Sequence, residues 1–270
     1  MTLEIGVMLP TSTPDPAAPI IGDVRAAARA AEELGLDSVW STDHLIASAP
    51  ILESTAVLGA AAGATERIRI GYGVLLLALR PVAWAAKQIS TLQHLSGNRL
   101  ELGIGTGNPA HGDIGWRAAG ESFADRGRRT DESLRLLPSL IEGRPTALPD
   151  GTEVTLAPGA SLPPILVAGD VPAARRRAAR FAEGWIGIGT PPADLARILS
   201  ELAELAAGYG RPAPYAVVLA PSIDEDPKRA AEQLAEYAEV GARRVILPQY
   251  DADWRRAYEN AAAIRTLLVG

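Results

Sequence analysis

Three histidines and no cysteines narrow the acid-base chemistry available to this 270-residue chain. His44 ends the run Trp40-Ser-Thr-Asp43-His44, His111 stands in a stretch of glycine and proline, and His94 falls late in a segment of helical period. Imidazole is the side chain whose ordinary pKa lies nearest neutrality. An Asp-His pair leaving a strand lets the ring exchange a proton while a carboxylate or backbone group holds it. His44 is therefore the catalytic candidate. Adjacent residues on an extended strand point to opposite faces, so Asp43 and His44 need not touch, and a loop-capping pair is the plainer alternative. His94 reads as structural or surface. Without cysteine there is neither disulfide nor thiolate zinc site, and two loop histidines lacking a carboxylate cluster make a poor ligand set, so no metal is expected.

Glycines mark a second kind of chemistry. Gly103-Ile-Gly-Thr-Gly107-Asn108 carries alternate glycines, which permit close backbone approach to a planar or phosphorylated ligand. It is not a dinucleotide fingerprint, because G-x-G-x-x-G opening directly into a helix is absent. Gly169-Asp170 and Gly187-Ile-Gly189-Thr190 are further openings. The latter runs into a predicted helix, whose free amide hydrogens and dipole suit a phosphate or carboxylate; a simple cap is the alternative. Asp113, Arg117, Glu121, Asp125, Arg126, Arg128 and Arg129 crowd one stretch. An exposed ion-pair face explains them more plainly than an anionic cofactor tail does.

The elements that must position these residues alternate. Apolar runs at Leu3 to Leu9, Ser38 to Thr42, Ile68 to Leu77, Leu100 to Thr106, Ile165 to Ala168, Gly184 to Ile188, Tyr215 to Ala220 and Arg244 to Pro248 read as strands. Each is followed by a segment of helical period, at 22–35, 53–64, 82–95, 125–142, 171–182, 192–208, 228–239 and 253–268. Eight uninterrupted strand-helix units predict an α/β fold, a single (β/α)8 barrel over residues 1–270 rather than an open sheet. Two long irregular stretches interrupt it, after strand four (Gly107 to Ala124) and before strand five (Gly143 to Pro164). The first leaves a strand's C-terminal end, where barrel sites gather; the second reads as a turn or small hairpin, a passive connector.

Composition excludes several classes. Hydrophobic residues at 47% and charged residues at 21% describe a globular chain. A formal charge of −6 without a basic stripe argues against a nucleic-acid partner. The longest apolar run, around Val74 to Leu79, is far too short to span a membrane, and the first residues lack a basic leader, so a cytoplasmic enzyme acting on a small-molecule substrate is expected.

Four ordered blocks resemble the luciferase-like monooxygenase family, in particular its branch using the deazaflavin coenzyme F420: Ala31-Glu-Glu-Leu-Gly-Leu-Asp-Ser-Val-Trp-Ser-Thr-Asp-His44; Arg67-Ile-Arg-Ile-Gly-Tyr-Gly-Val-Leu-Leu-Leu-Ala-Leu-Arg-Pro81; Lys87-Gln-Ile-Ser-Thr-Leu-Gln-His-Leu-Ser-Gly-Asn-Arg-Leu-Glu-Leu-Gly-Ile-Gly105; and Pro164-Ile-Leu-Val-Ala-Gly-Asp170 with Ala182-Glu-Gly-Trp-Ile186. The resemblance implies an F420-dependent oxidoreductase whose cofactor ring lies at the barrel's C-terminal mouth near Gly73 and Val74, on a bulge that often carries a non-prolyl cis peptide. It implies Asp43 as a cofactor contact, His44 as proton shuttle, Thr106, Gly107 and Asn108 at the ring's polar edge, and Gly169 with Asp170 near the cofactor tail. Asn108 replaces a glutamate that donates a proton in a sugar-phosphate dehydrogenase branch, which disfavours that substrate. An FMN-dependent monooxygenase or reductase shares the fold and most contacts; a non-catalytic flavin-binding barrel is the reading from another class. The resemblance also implies a homodimer packed through helices two and three, where Ala56-Val-Leu-Gly-Ala-Ala-Ala-Gly63 permits close approach and Trp84 is a candidate anchor; packing of that helix on its own barrel serves equally well.

Overall fold

The computed structural model describes residues 2–12, 22–47, 49–248 and 253–269. In chain order the elements are β1 (Glu4–Met8), α1 (Val24–Glu33), β2 (Ser38–Ser41), α2 (Ser54–Ala64), β3 (Arg69–Leu76), α3 (Val82–Ser96), β4 (Leu100–Gly105), α4 (Ile114–Ala118), α5 (Arg126–Ile141), β5 (Thr146–Ala147), β6 (Glu153–Val154), β7 (Ile165–Ala168), α6 (Pro172–Phe181), β8 (Gly184–Ile188), α7 (Pro192–Gly208), β9 (Tyr215–Leu219), α8 (Pro227–Glu239), β10 (Ala242–Leu247) and α9 (Trp254–Val269). Single 3-10 turns follow β3 at Leu77–Leu79 and β4 at Pro109–His111. Eight parallel strands close in the order β1-β10-β9-β8-β7-β4-β3-β2, the expected barrel. The stretch 143–164 holds the antiparallel β5–β6 pair, a small hairpin as predicted. The stretch 107–124 was expected to be irregular and instead contains the short helix α4.

Side chains alternate along each strand as the pleat requires. Ile5, Val7, Val39, Leu102, Ile104, Val167, Val218 and Val245 face the helices and join the main core. Met8, Trp40, Leu166, Ile186, Val217 and Ile246 face inward and fill the barrel. Trp40 takes most of that space: a Cβ at Gly71 would lie 2.4 Å from its ring, and one at Gly6 would lie 2.8 Å from its indole nitrogen. The indole N–H donates to Ser38 Oγ at 2.8 Å.

Charge plugs the other end of the barrel. Arg244, 1% exposed, meets Glu101 across the barrel and Glu4 on the neighbouring β1, and Arg69 adds a second contact to Glu101 at 3.2 Å. Helix ends follow their sequence signals. Asp23 caps α1 by accepting from Arg25 N and Ala26 N, and Gly97 ends α3 at φ +63°. Among the described residues no helix is long and apolar enough to cross a membrane.

Candidate active site

The strand exits β2, β3, β4 and β7 surround a cavity of about 550 Å³ at the C-terminal mouth, lined among others by Asp43, His44, Gly73, Val74, Thr106, Gly107, Asn108, Gly169 and Asp170. That volume lies within the range of small-molecule sites. Nine of the eleven predicted site residues thus converge on it. Gly189 and Thr190 do not line it: Thr190 is buried, its hydroxyl donates to both Asp170 oxygens at 3.2 Å, and its carbonyl accepts from Tyr237 Oη. Thr190 thus buttresses Asp170 from behind, Gly189 N donates to Leu219 O, and Asp194 occupies the first turn of α7.

Asp43 is buried, and its carboxylate is fully engaged. It accepts from Ser54 Oγ (2.9 Å), from Leu76 N (2.9 Å) and from both terminal nitrogens of Arg80 (3.0 and 3.1 Å). One carboxylate therefore ties the β2 exit to the start of α2 and the end of β3. Charge-assisted, forked pairs of this kind are the strong ones. Burial works against the charge on Arg80, but Asp43 outweighs it and raises Arg80's basicity.

His44, next along, turns the other way. It is half-buried on the cavity wall, and its ring meets that of His111 edge to face, centroids 5.0 Å apart and planes at 69°. Among the described residues no hydrogen-bond partner is found for either ring. Burial lowers His44's pKa below 6.5, the positive charge of His111 lowers it further, and the Asp43 carboxylate opposes both.

The β3 wall is bulged. Its register against β4 runs from Tyr72–Leu102 to Leu75–Ile104, three residues against two, and the Gly73–Val74 peptide is cis. The alternate glycines of β4 face this bulge. A Cβ at Gly103 would sit 2.0 Å from Tyr72 O, and one at Gly105 would sit 2.4 Å from Val74 Cγ2. Gly103 makes room for the bulge, and Gly105 makes room for Val74 while also lining the cavity. Gly107, at φ +83°, then turns the chain, and Asn108 Oδ1 accepts from Ala110 N to start the turn that carries His111.

Across the cavity Trp185 Nε1 donates to Gly169 O at 2.9 Å, fixing the β7 exit. Burial raises the pKa of Asp170, partly countered by the Thr190 hydroxyl and by Arg175. No side chain caps the N-terminus of α6, whose Val171 and Ala174 line the cavity. Beside it lies Arg126, and the crowd of arginines separates. Arg129 pairs with Glu121 at 2.6 Å and Arg128 with Glu132 at 2.7 Å, whereas Arg126 has no acidic partner among the described residues. Its guanidinium lies 3.8 Å over the Phe123 ring, Nη1 donates to Phe123 O, and Nε is buried without a partner. Sequence reasoning left Arg126 among its exposed neighbours and gave His111 no role. Among the described residues no group of three or more His, Cys, Asp or Glu could hold a metal.

The sequence pattern of the luciferase-like monooxygenases matches residues 3–268, and the chain belongs to that family. An uncharacterized protein of Mycobacterium tuberculosis is 39% identical over 176 residues, 62% of this chain and 59% of that protein, so the match spans less than two thirds of the relative's length. An F420-dependent glucose-6-phosphate dehydrogenase of Beutenbergia cavernae is 30% identical over 245 residues, 85% of this chain and 64% of the relative. Among solved structures, an F420-dependent secondary alcohol dehydrogenase in complex with an F420-acetone adduct superposes with a TM-score of 0.81 at 18% identity, covering 98% and 99% of the two chains. The oxygenating constituent of 3,6-diketocamphane monooxygenase of Pseudomonas putida, in complex with FMN, superposes with a TM-score of 0.77 at 18% identity, covering 98% and 97%. The chain is thus a luciferase-like barrel of an oxidoreductase and monooxygenase family.

Proposed function

We infer that this protein transfers a hydride between coenzyme F420 and a small organic substrate, with His44 as the acid-base residue. The observation that carries this reading is His44 itself, an imidazole on the cavity wall with no hydrogen-bond partner among the described residues and a lowered pKa. A general base must be neutral and free to reach a substrate proton, and His44 is both at neutral pH. The dehydrogenase relative, similar over 85% of this chain, favours the deazaflavin over FMN.

The residues present fit a flavin-type group. Val74, Leu76, Ala168 and Ile188 offer apolar walls to a planar ring system, with the Gly73–Val74 peptide among them. Thr106, Gly107 and Asn108 would meet the ring's polar edge. At the tail, Gly169 leaves room, Asp170 accepts from polyol hydroxyls, and Arg126 with the uncapped N-terminus of α6 would hold a phosphate. The unpaired positive charge of Arg126 and the vacant cap are what such an anion would satisfy. Asp43 serves the cofactor through the wall it braces, and Thr190 serves it through Asp170. When bound, the deazaflavin supplies the carbon that accepts or returns the hydride.

His44 takes the proton of a substrate hydroxyl as its carbon is oxidised, and gives it back in the reverse direction. Asn108 has no dissociating proton to offer, so acid-base duty does not fall to that position. Leu45, Ile46, Ile114, Val171 and Ile188 are exposed around the mouth, and this apolar rim suits an uncharged substrate over a sugar phosphate. We assign a homodimer through α2 and α3, where Trp84 on α3 stands 66% exposed and Ala56 and Gly63 on α2 are exposed.

Separate titrations of the purified protein with oxidised F420 and with FMN, followed by tryptophan fluorescence, test the reading. Saturable binding of F420 alone is expected. A preference for FMN would replace it with the monooxygenase, and binding of neither would overturn both cofactor assignments.

A further inference from the structure

His111 has no place in the reaction described above, yet its ring lies against that of the acid-base residue, centroids 5.0 Å apart. Its position is built. Asn108 caps the Pro109–His111 turn from both sides, its Oδ1 accepting from Ala110 N and its carbonyl accepting from His111 N at 3.1 Å. Gly112, at φ +68°, then reverses the chain. The result is an exposed imidazole presented edge to face against half-buried His44, with both rings on the cavity wall.

Two imidazoles with centroids 5.0 Å apart cannot both be charged without cost. Burial decides which one holds a proton, because a cation is better solvated on the exposed ring. The other charged groups around His44 do not reverse the choice. The Asp43 carboxylate is held by both terminal nitrogens of Arg80, which cancels much of its field. Arg126 faces the same cavity from α5 with a positive charge, and Asp170 faces it from the β7 exit with its oxygens on the Thr190 hydroxyl.

We propose that His44 and His111 form an electrostatically coupled pair in which the exposed His111 keeps half-buried His44 a neutral proton acceptor. The inference rests on the assignment of His44 as the acid-base residue, and its meaning for turnover rests on the hydride-transfer reading. The lowered pKa of His44, caused by burial and next by His111, agrees with it. On this view a proton taken from substrate by His44 is repelled by a charged neighbour, and His44 is returned quickly to its neutral state through solvent.

The test needs no cofactor. With only three histidines, ring carbon-proton NMR signals of the apoprotein can be assigned from His44→Gln, His94→Gln and His111→Gln. In the wild type the His44 signal should titrate below 6.5. His111→Gln removes the charge and should raise the His44 midpoint by about half to one unit, the effect of a unit charge at this distance in a largely aqueous dielectric. His111→Lys restores a fixed positive charge and should keep the midpoint at or below the wild-type value. His94, remote on α3, is the internal control and should not move. A structural role for His111 would shift His44 alike in both variants. That outcome, or no shift in either, would overturn the pair. Failure of F420 and FMN to bind would leave this titration readable, so the two readings fail separately. If F420 does bind, the acid limb of kcat/KM should move with the NMR midpoint in His111→Gln.

Discussion

The two ends of the barrel both bury charge, and they do opposite things with it. At the N-terminal end Arg244, Glu101, Glu4 and Arg69 face one another across the strands, with both acidic partners held by arginine. At the C-terminal mouth Asp43 and Arg80 repeat that logic, but His44 and His111 stand beside them with ring nitrogens left over, and Arg126 with no acidic partner among the described residues. Charges that satisfy each other hold strands together. Polar groups left open beside a cavity are available to a ligand, and the contrast marks the mouth as the candidate site.

Breaking the ion-paired end should cost the most stability and tell nothing about chemistry. Arg244→Ala leaves Glu101 buried without its main partner, and a loss of about 3–5 kcal/mol is expected in chemical denaturation. Replacing both members by apolar residues should recover much of it. His44→Ala should do the reverse: turnover falling by about 10²–10⁴-fold, the range for removal of a general acid-base group, with F420 affinity and the denaturation midpoint nearly unchanged. A comparable loss of stability in His44→Ala would erase the distinction between the two ends.

Arg126→Ala should weaken cofactor binding by about 10- to 100-fold through loss of a charge-assisted contact, and the remaining affinity should depend less on salt. Unchanged affinity would move the phosphate seat elsewhere. A smaller effect is expected from pH. The pKa of His44 is 6.5 when unfolded and lower when folded. Stability is therefore full above pH 6.5 and declines as the pH falls below it, because the unfolded chain takes up the proton first. His44→Gln should flatten that part of the stability curve; an unaltered slope would mean that His44 is as basic folded as unfolded. Last, Trp84→Glu should shift the protein toward monomer in sedimentation without altering F420 binding.

Much of this was legible in the sequence, for physical reasons that differ by region. The barrel strands show because their outward positions are apolar at period two, as in Ile5 and Val7 or Leu102 and Ile104. His44 shows because it follows a strand whose exit must lie on the catalytic face. Helix α4 does not show, because its five residues lie between Gly112 and Gly120 and carry no sustained period. Gly103 and Gly105 look ligand-driven along one strand, and the bulge on β3 that also requires them is not visible until the strands are paired. Arg126 cannot be told from Arg128 and Arg129 until their partners are placed: Glu121 lies outside α5, and the sequence alone does not bring it to Arg129. Thr190 has the same difficulty, since its hydroxyl is claimed by a residue 20 positions away.

Trp40 bears on any redesign of this barrel. Its indole fills the volume that side chains at Gly6 and Gly71 would need, so these three positions on three strands are mutually dependent: a larger residue at either glycine is excluded while Trp40 is present, and a smaller residue at 40 leaves a void that neither glycine can fill alone. Mutational paths that reshape the interior beneath the cofactor cavity must therefore change at least two of these positions together, and libraries built one substitution at a time will find them closed.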